Sequence, residues 1–164
     1  MKKFLVCFLV MLGSLLLFFP SYSLAKPKSP PDFTLKSNQG SNIRLSEQRG
    51  RWVILYFWAS WCSVCRDDLI QLQNFQSQMN YPGLKVLGVN LGQKSVGDYA
   101  RSAKLSFPLL LDPKSTTAAL FGVDEVPTMV LVDRDGQVNF RSKRLAAARL
   151  NELAEAIRSA PDYR

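Results

Sequence analysis

The sequence predicts an α/β fold, a mixed central sheet flanked by helices. Three observations carry this. The first is Trp52-Val-Ile-Leu-Tyr-Phe-Trp-Ala59, a run in which all residues but Ala59 are bulky, aromatic or β-branched. Such a run reads as a strand buried on both faces, and it needs covering elements on each side, so it belongs in the middle of a sheet. The second is the alternation of helical and strand patterns that follows it. The third is a hairpin pattern near the C-terminal end, closed by an amphipathic helical stripe.

The elements follow in order. Residues 26–31 are polar and proline-rich, an extended lead-in. Residues 32–35 alternate like a short strand, Ser37-Asn-Gln-Gly40 is a turn and residues 43–45 return, so an N-terminal β-hairpin is expected. Residues 46–50 form a helical turn or loop ending at Gly50. After the central strand a helix runs from about Cys62 to about Asn80. Leu69, Leu72, Phe75 or Gln76, and Met79 keep helical spacing, and Tyr81-Pro82-Gly83 stops it. Residues 84–90 are an apolar strand. Ser95-Val-Gly-Asp98 resembles a capping box and opens a helix to about Lys104. Residues 107–111 form a short strand, and Ser115 is placed to cap a brief helix ending near Gly122. Residues 128–132 are a strand, Asp133-Arg-Asp-Gly136 a turn and residues 138–141 its antiparallel return. Ala146, Leu150, Leu153 and Ile157 make the closing stripe.

Chemistry concentrates at one junction. Ser60-Trp61-Cys62-Ser63-Val64-Cys65 follows the central strand at once, so two cysteines sit where a strand hands over to a helix. Unpaired N–H groups and the positive end of the helix dipole there favour a thiolate on Cys62. Cys65 lies about one helical turn further on, on the same side, where it can attack a mixed disulfide formed on Cys62. A dithiol-disulfide exchanger needs this arrangement. As a structural staple the pair is poor, because so small a loop restricts the unfolded chain little.

Length and composition bound the alternatives. The 164 residues suit one domain, and three cysteines are too few for a disulfide-built scaffold. The absence of histidine removes the commonest metal ligand and general base, so no metal site is expected. Lys2-Lys3, the apolar run 4–19 and the small residues Ser23 and Ala25 make a leader pattern with cleavage after Ala25. Residues 1–25 are thus read as a signal peptide and 26–164 as the domain. Cys7 is part of the apolar run. An uncleaved anchor through 4–19 is the alternative, though spanning takes ~20 apolar residues. The 21 basic and 13 acidic residues give a formal charge of +8, read as solubility because the basic residues are scattered, Arg141-Ser-Lys-Arg144 apart. Without interleaved aromatics nucleic-acid binding is not expected.

The residues then carry a resemblance. Phe57-Trp-Ala-Ser-Trp-Cys-Ser-Val-Cys65, with Val126-Pro127-Thr128 downstream, resembles the thioredoxin superfamily. Pro31-Asp-Phe-Thr-Leu35, the segment 95–111, and Val123-Asp-Glu-Val-Pro-Thr128 followed by Asp133-Arg-Asp-Gly136 resemble its exported TlpA/ResA-type thiol-disulfide oxidoreductases. The resemblance spans roughly residues 30–160. It implies a thioredoxin-like fold with an N-terminal β-hairpin and an inserted helix–strand segment. It makes Cys62 the attacking thiol and Cys65 the resolving one, paired as a redox-active disulfide with no other cofactor. Trp61 then flanks the site, its plainer reading being an aromatic packed at a strand end. Pro127 matches the family's cis-proline, which brings the Val126 backbone beside the cysteines to pair with a substrate strand. Asp68 falls where the branch often has a glutamate that tunes the thiols; the plainer reading is a solvated charge on the helix face.

Two departures matter. Tyr56 stands where cytoplasmic thioredoxins carry a buried aspartate, and the Ser63-Val64 spacer lacks the proline or histidine of better-known members. Spacer residues tune thiol acidity and potential, so the direction of electron flow stays open. The expected function is an exported reductant or exchanger of protein disulfides, as in cytochrome c maturation, working as a monomer in the periplasm or another extracytoplasmic space and fed by a membrane-embedded electron donor. The alternative is a protein-oxidising catalyst of the same fold. A peroxidase is disfavoured because Ala59 stands where that branch has Thr or Ser three residues before its cysteine. A copper-delivery role is disfavoured because the chain has no histidine.

Overall fold

The computed structural model describes residues 32–92 and 96–159. The expected leader with Cys7, the lead-in at 26–31 and Ser95 of the capping box lie outside the described residues. In chain order the elements are β1 (Thr34–Lys36), β2 (Asn42–Arg44), a 3-10 turn (Ser46–Gln48), β3 (Trp52–Trp58) and α1 (Ser63–Met79). Then come β4 (Leu84–Asn90), α2 (Gly97–Ser102), β5 (Leu109–Leu111), α3 (Thr116–Leu120), β6 (Thr128–Val132), β7 (Val138–Ser142) and α4 (Ala147–Arg158).

Five strands form one mixed sheet in the order β5-β4-β3-β6-β7, with β3 at its centre. β4 runs parallel to β3 and β5 parallel to β4. β6 runs antiparallel to β3, and β7 antiparallel to β6. Every residue of β3 is buried, because its two faces serve two different cores. Trp52, Ile54, Tyr56 and Trp58 pack with Leu69 and Leu72 of α1 and Leu153 and Ile157 of α4. Val53, Leu55 and Phe57 pack with Phe33, Leu45 and Phe121. The period of two along a strand thus produces a continuous apolar run, since both faces are covered.

α1 buries Cys65, Asp68, Leu69, Leu72, Phe75 and Met79, the i, i+3, i+4, i+7 stripe of a helix facing a core. It ends at Asn80, which turns left-handed with φ 44° and donates its N–H to the Gln76 carbonyl. Under α1 the sheet carries Gly88, where an added Cβ would lie 2.6 Å from Leu109 Cδ2 and 3.4 Å from Leu69 Cδ2. The missing side chain lets β5 and α1 close on the same strip of β4.

β1 and β2 form a separate antiparallel pair with Leu35 opposite Ile43, tied to the main sheet by a bridge between Ser37 and Leu110. Asp32 fixes the base of this hairpin by accepting from Arg44 Nε at 2.7 Å and from Ser46 N at 2.9 Å. Ser115 does not cap α3: it sits at φ 53° with no side-chain bond to the helix. Asp112, buried at the end of β5, does so with both oxygens, accepting from Thr116 N at 2.9 Å and Ala118 N at 3.0 Å. The carboxylate reaches from the sheet under the helix start, a tertiary approach that local spacing does not encode.

Candidate active site

The site grows from the end of β3. The chain leaves the sheet at Trp58, turns with Cys62 N donating to the Ala59 carbonyl at 3.0 Å, and enters α1. Cys62 is the N-cap of α1, in extended conformation, and its Sγ accepts from Cys65 N at 3.2 Å. One of the N–H groups that a helix start leaves without a partner is therefore directed at this sulfur. Cys62 and Cys65 form a disulfide with S–S 2.04 Å and Cα–Cα 5.3 Å. The two sulfurs are unequally placed: Cys65 is wholly buried, whereas Cys62 keeps 7% of its surface at the rim. Beside Cys62, Trp61 is 79% exposed. The reading of Trp61 as an aromatic packed at the strand end is thereby corrected. Trp58 fills that place, buried and packed at a tilt against Tyr99 with ring centroids 5.4 Å apart, and the tight turn at 59–62 throws Trp61 outward.

Asp68 lies one turn beyond Cys65 on the buried stripe and is 4% exposed, so it is not a solvated charge on the helix face. Its partner comes from the sheet. Tyr56 donates its hydroxyl to Asp68 Oδ2 at 2.7 Å, a buried bond between β3 and α1. Burial pushes the Asp68 carboxyl above the usual carboxylate range; the Tyr56 hydroxyl pulls it back and the charge of Asp67 pushes it up again. Burial, reinforced by the Asp68 carboxylate, pushes the Tyr56 phenol well above its ordinary value, so it remains a donor. Sequence reading singled out both residues but did not join them. The signal was a lone phenol in an apolar strand and a lone carboxylate in an apolar helix stripe.

Asp68 opens onto a groove of about 1030 Å³. One wall is α1, with Val64, Asp68 and Gln71; the other is the loop before β6, with Glu125, Val126 and Pro127. The segment from Ser142 to Ala146 and Arg149 closes the far side. The Val126–Pro127 peptide bond is cis, and Thr128 Oγ1 holds the loop by donating to the Glu125 carbonyl at 2.8 Å. Lys143 Nζ ties that far segment to the loop through Glu125 Oε1 at 2.7 Å. Val126, Pro127 and Asp68 are thus brought to one groove, reached also by Val64 between the two cysteines, while Trp61, Cys62 and Cys65 stand outside its lining. Behind the turn, buried Asn90 donates through Nδ2 to Ser60 Oγ at 3.4 Å, a contact that sequence reading missed because its partners lie thirty residues apart.

No helix among the described residues is long and apolar enough to cross a membrane. Residues 28–141 match the model of the AhpC/TSA family. The sporulation thiol-disulfide oxidoreductase A of Bacillus subtilis is 31% identical over 84% of this chain and 87% of its own length. The thiol-disulfide oxidoreductase ResA of Geobacillus thermodenitrificans is 30% identical over 71% of this chain and 68% of its own. A solved structure from Chlorobium tepidum, named as a thiol:disulfide interchange protein DsbE, is 34% identical with a TM-score of 0.72, covering 82% of this chain and 96% of that one. With its thioredoxin-like sheet, its disulfide at the N-cap of α1 and these relatives, the chain belongs to the AhpC/TSA family as a thiol-disulfide oxidoreductase of the ResA type.

Proposed function

We propose that the chain is an exported exchanger that reduces protein disulfides, of the kind cytochrome c maturation requires before heme is attached. The observation that carries this reading is the unequal exposure of the cysteine pair, Cys62 at the rim and Cys65 wholly buried behind it. Cys62, as thiolate, attacks a substrate disulfide; that bond breaks, one substrate sulfur leaves and takes up a proton, and a mixed disulfide forms on Cys62. Cys65 then gives its proton to Asp68, attacks Cys62 Sγ and closes the Cys62–Cys65 bond. The second substrate thiolate leaves and takes the proton back from Asp68. The substrate gains two electrons and the dithiol is oxidised, with no cofactor beyond this disulfide. Val126, Pro127 and Trp61 receive the substrate backbone and flank it. A membrane-embedded donor re-reduces the pair, the protein acts as a monomer, and the basic and apolar run at 2–19 directs export or anchors it.

Charge supports the reductant direction. Helix N–H groups favour a thiolate on Cys62, but the buried carboxylate of Asp68 on the same helix opposes that negative charge. Destabilising the reduced pair favours the disulfide, and a couple that prefers its disulfide is a reductant. The test is the equilibrium potential of Cys62/Cys65 against glutathione. A value near ~ −270 mV supports the reading, and one near ~ −120 mV makes the protein an oxidant on the same scaffold.

A further inference from the structure

We propose that Tyr56 is a positioning residue for the thiol chemistry: its hydroxyl holds the Asp68 carboxylate in the groove wall and keeps it ionised to receive the Cys65 proton. The proposal rests on the reading of Asp68 as the base and adds the device that makes so buried a carboxylate usable. Tyr56 is fully buried at the middle of β3, with Gly88 and Met129 as its strand neighbours, and its ring is part of the core under α1. Its hydroxyl reaches out of the sheet to Asp68 Oδ2 at 2.7 Å. Oδ1 is left for the proton in transit. A carboxylate in an apolar stripe without a donor would be driven to its neutral form, and a neutral acid cannot act as a base.

The other groups that face Asp68 do not replace this donor. Tyr99 of α2 gives its hydroxyl to the Arg66 carbonyl at 3.0 Å. Asp67, next in the chain, opposes ionisation. Across the groove Glu125 is paired with Lys143 at 2.7 Å and Arg149 with Glu152 at 2.6 Å, leaving Arg144 on the rim.

The experiment compares the pH profile for resolving a preformed mixed disulfide between Cys62 and a small thiol, a step that does not depend on ionising Cys62, in wild type, Tyr56→Phe, Asp68→Asn and the double variant. Tyr56→Phe keeps the ring and removes the donor. Its acid limb should move up by about one pH unit, a roughly tenfold slower resolution on the acid side. Asp68→Asn should abolish that limb, and adding Tyr56→Phe should then change nothing further. An unmoved limb in Tyr56→Phe, with the limb lost in Asp68→Asn, overturns the role of Tyr56 and leaves Asp68 as the base. A limb that persists in Asp68→Asn overturns the base reading and this proposal with it. Should Tyr56→Phe not fold, carbon-13 titration of the wild type decides: the Tyr56 Cζ resonance must follow the midpoint of Asp68 Cγ, and independent midpoints overturn the proposal.

Discussion

At the scale of single residues, the site is defined by which atoms are covered. Cys62 caps α1 at the rim and Cys65 is wholly buried, so the two thiols should fail differently when removed. Cys65→Ser should accumulate mixed disulfides on Cys62, and Cys62→Ser should trap little; mass spectrometry of adducts with a disulfide-bearing protein measures this. Equal trapping by both variants would remove the assigned order. Asp68 makes a second prediction, through stability. Its folded proton affinity is raised, chiefly by burial, so its contribution is complete below the ordinary carboxylate value of about 4. That contribution is lost as pH climbs through the raised folded value. Wild type should therefore lose stability relative to Asp68→Asn across that window, and urea midpoints at stepped pH values test it. Parallel curves would place the carboxyl in water.

At the scale of elements, the long units were legible and the short ones only partly. β4 runs over residues 84–90 as expected, and α1 ends one residue before the expected stop, because a seven-residue apolar strand and a four-turn stripe carry their own periodicity. α2 and α3 are shorter than their patterns suggested, five or six residues each, because helices this small are held by what they touch. α3 depends on Asp112. Asp112→Ala leaves two backbone donors without their acceptor and should cost about 2 kcal/mol, read from the urea midpoint at unchanged slope. Ser115→Ala, at the position that local spacing marks as the cap, should be near neutral.

At the scale of the whole molecule, the second face of the sheet is closed by three aromatic rings. Phe121 lies 5.9 Å from Phe57 of β3 and 6.1 Å from Phe33, and so ties the N-terminal hairpin to the sheet. Phe121→Ala should cost about 3–5 kcal/mol, and the hairpin amides should lose hydrogen-exchange protection first. Uniform loss of protection would mean the hairpin is held elsewhere. The sequence by itself determined the α/β class, the central strand and the cysteine pair at the start of α1, because each is written in residues close along the chain; Val126 and Pro127 entered only through the family resemblance. Only the tertiary structure decided what surrounds the thiols. Tyr56 and Asp68 are twelve residues apart on different elements, and their meeting depends on how α1 lies over β3. The same docking buries Asp68 and gives it the Tyr56 hydroxyl, since burial and hydrogen bonding depend on distances in space, whereas periodicity depends only on distances along the chain.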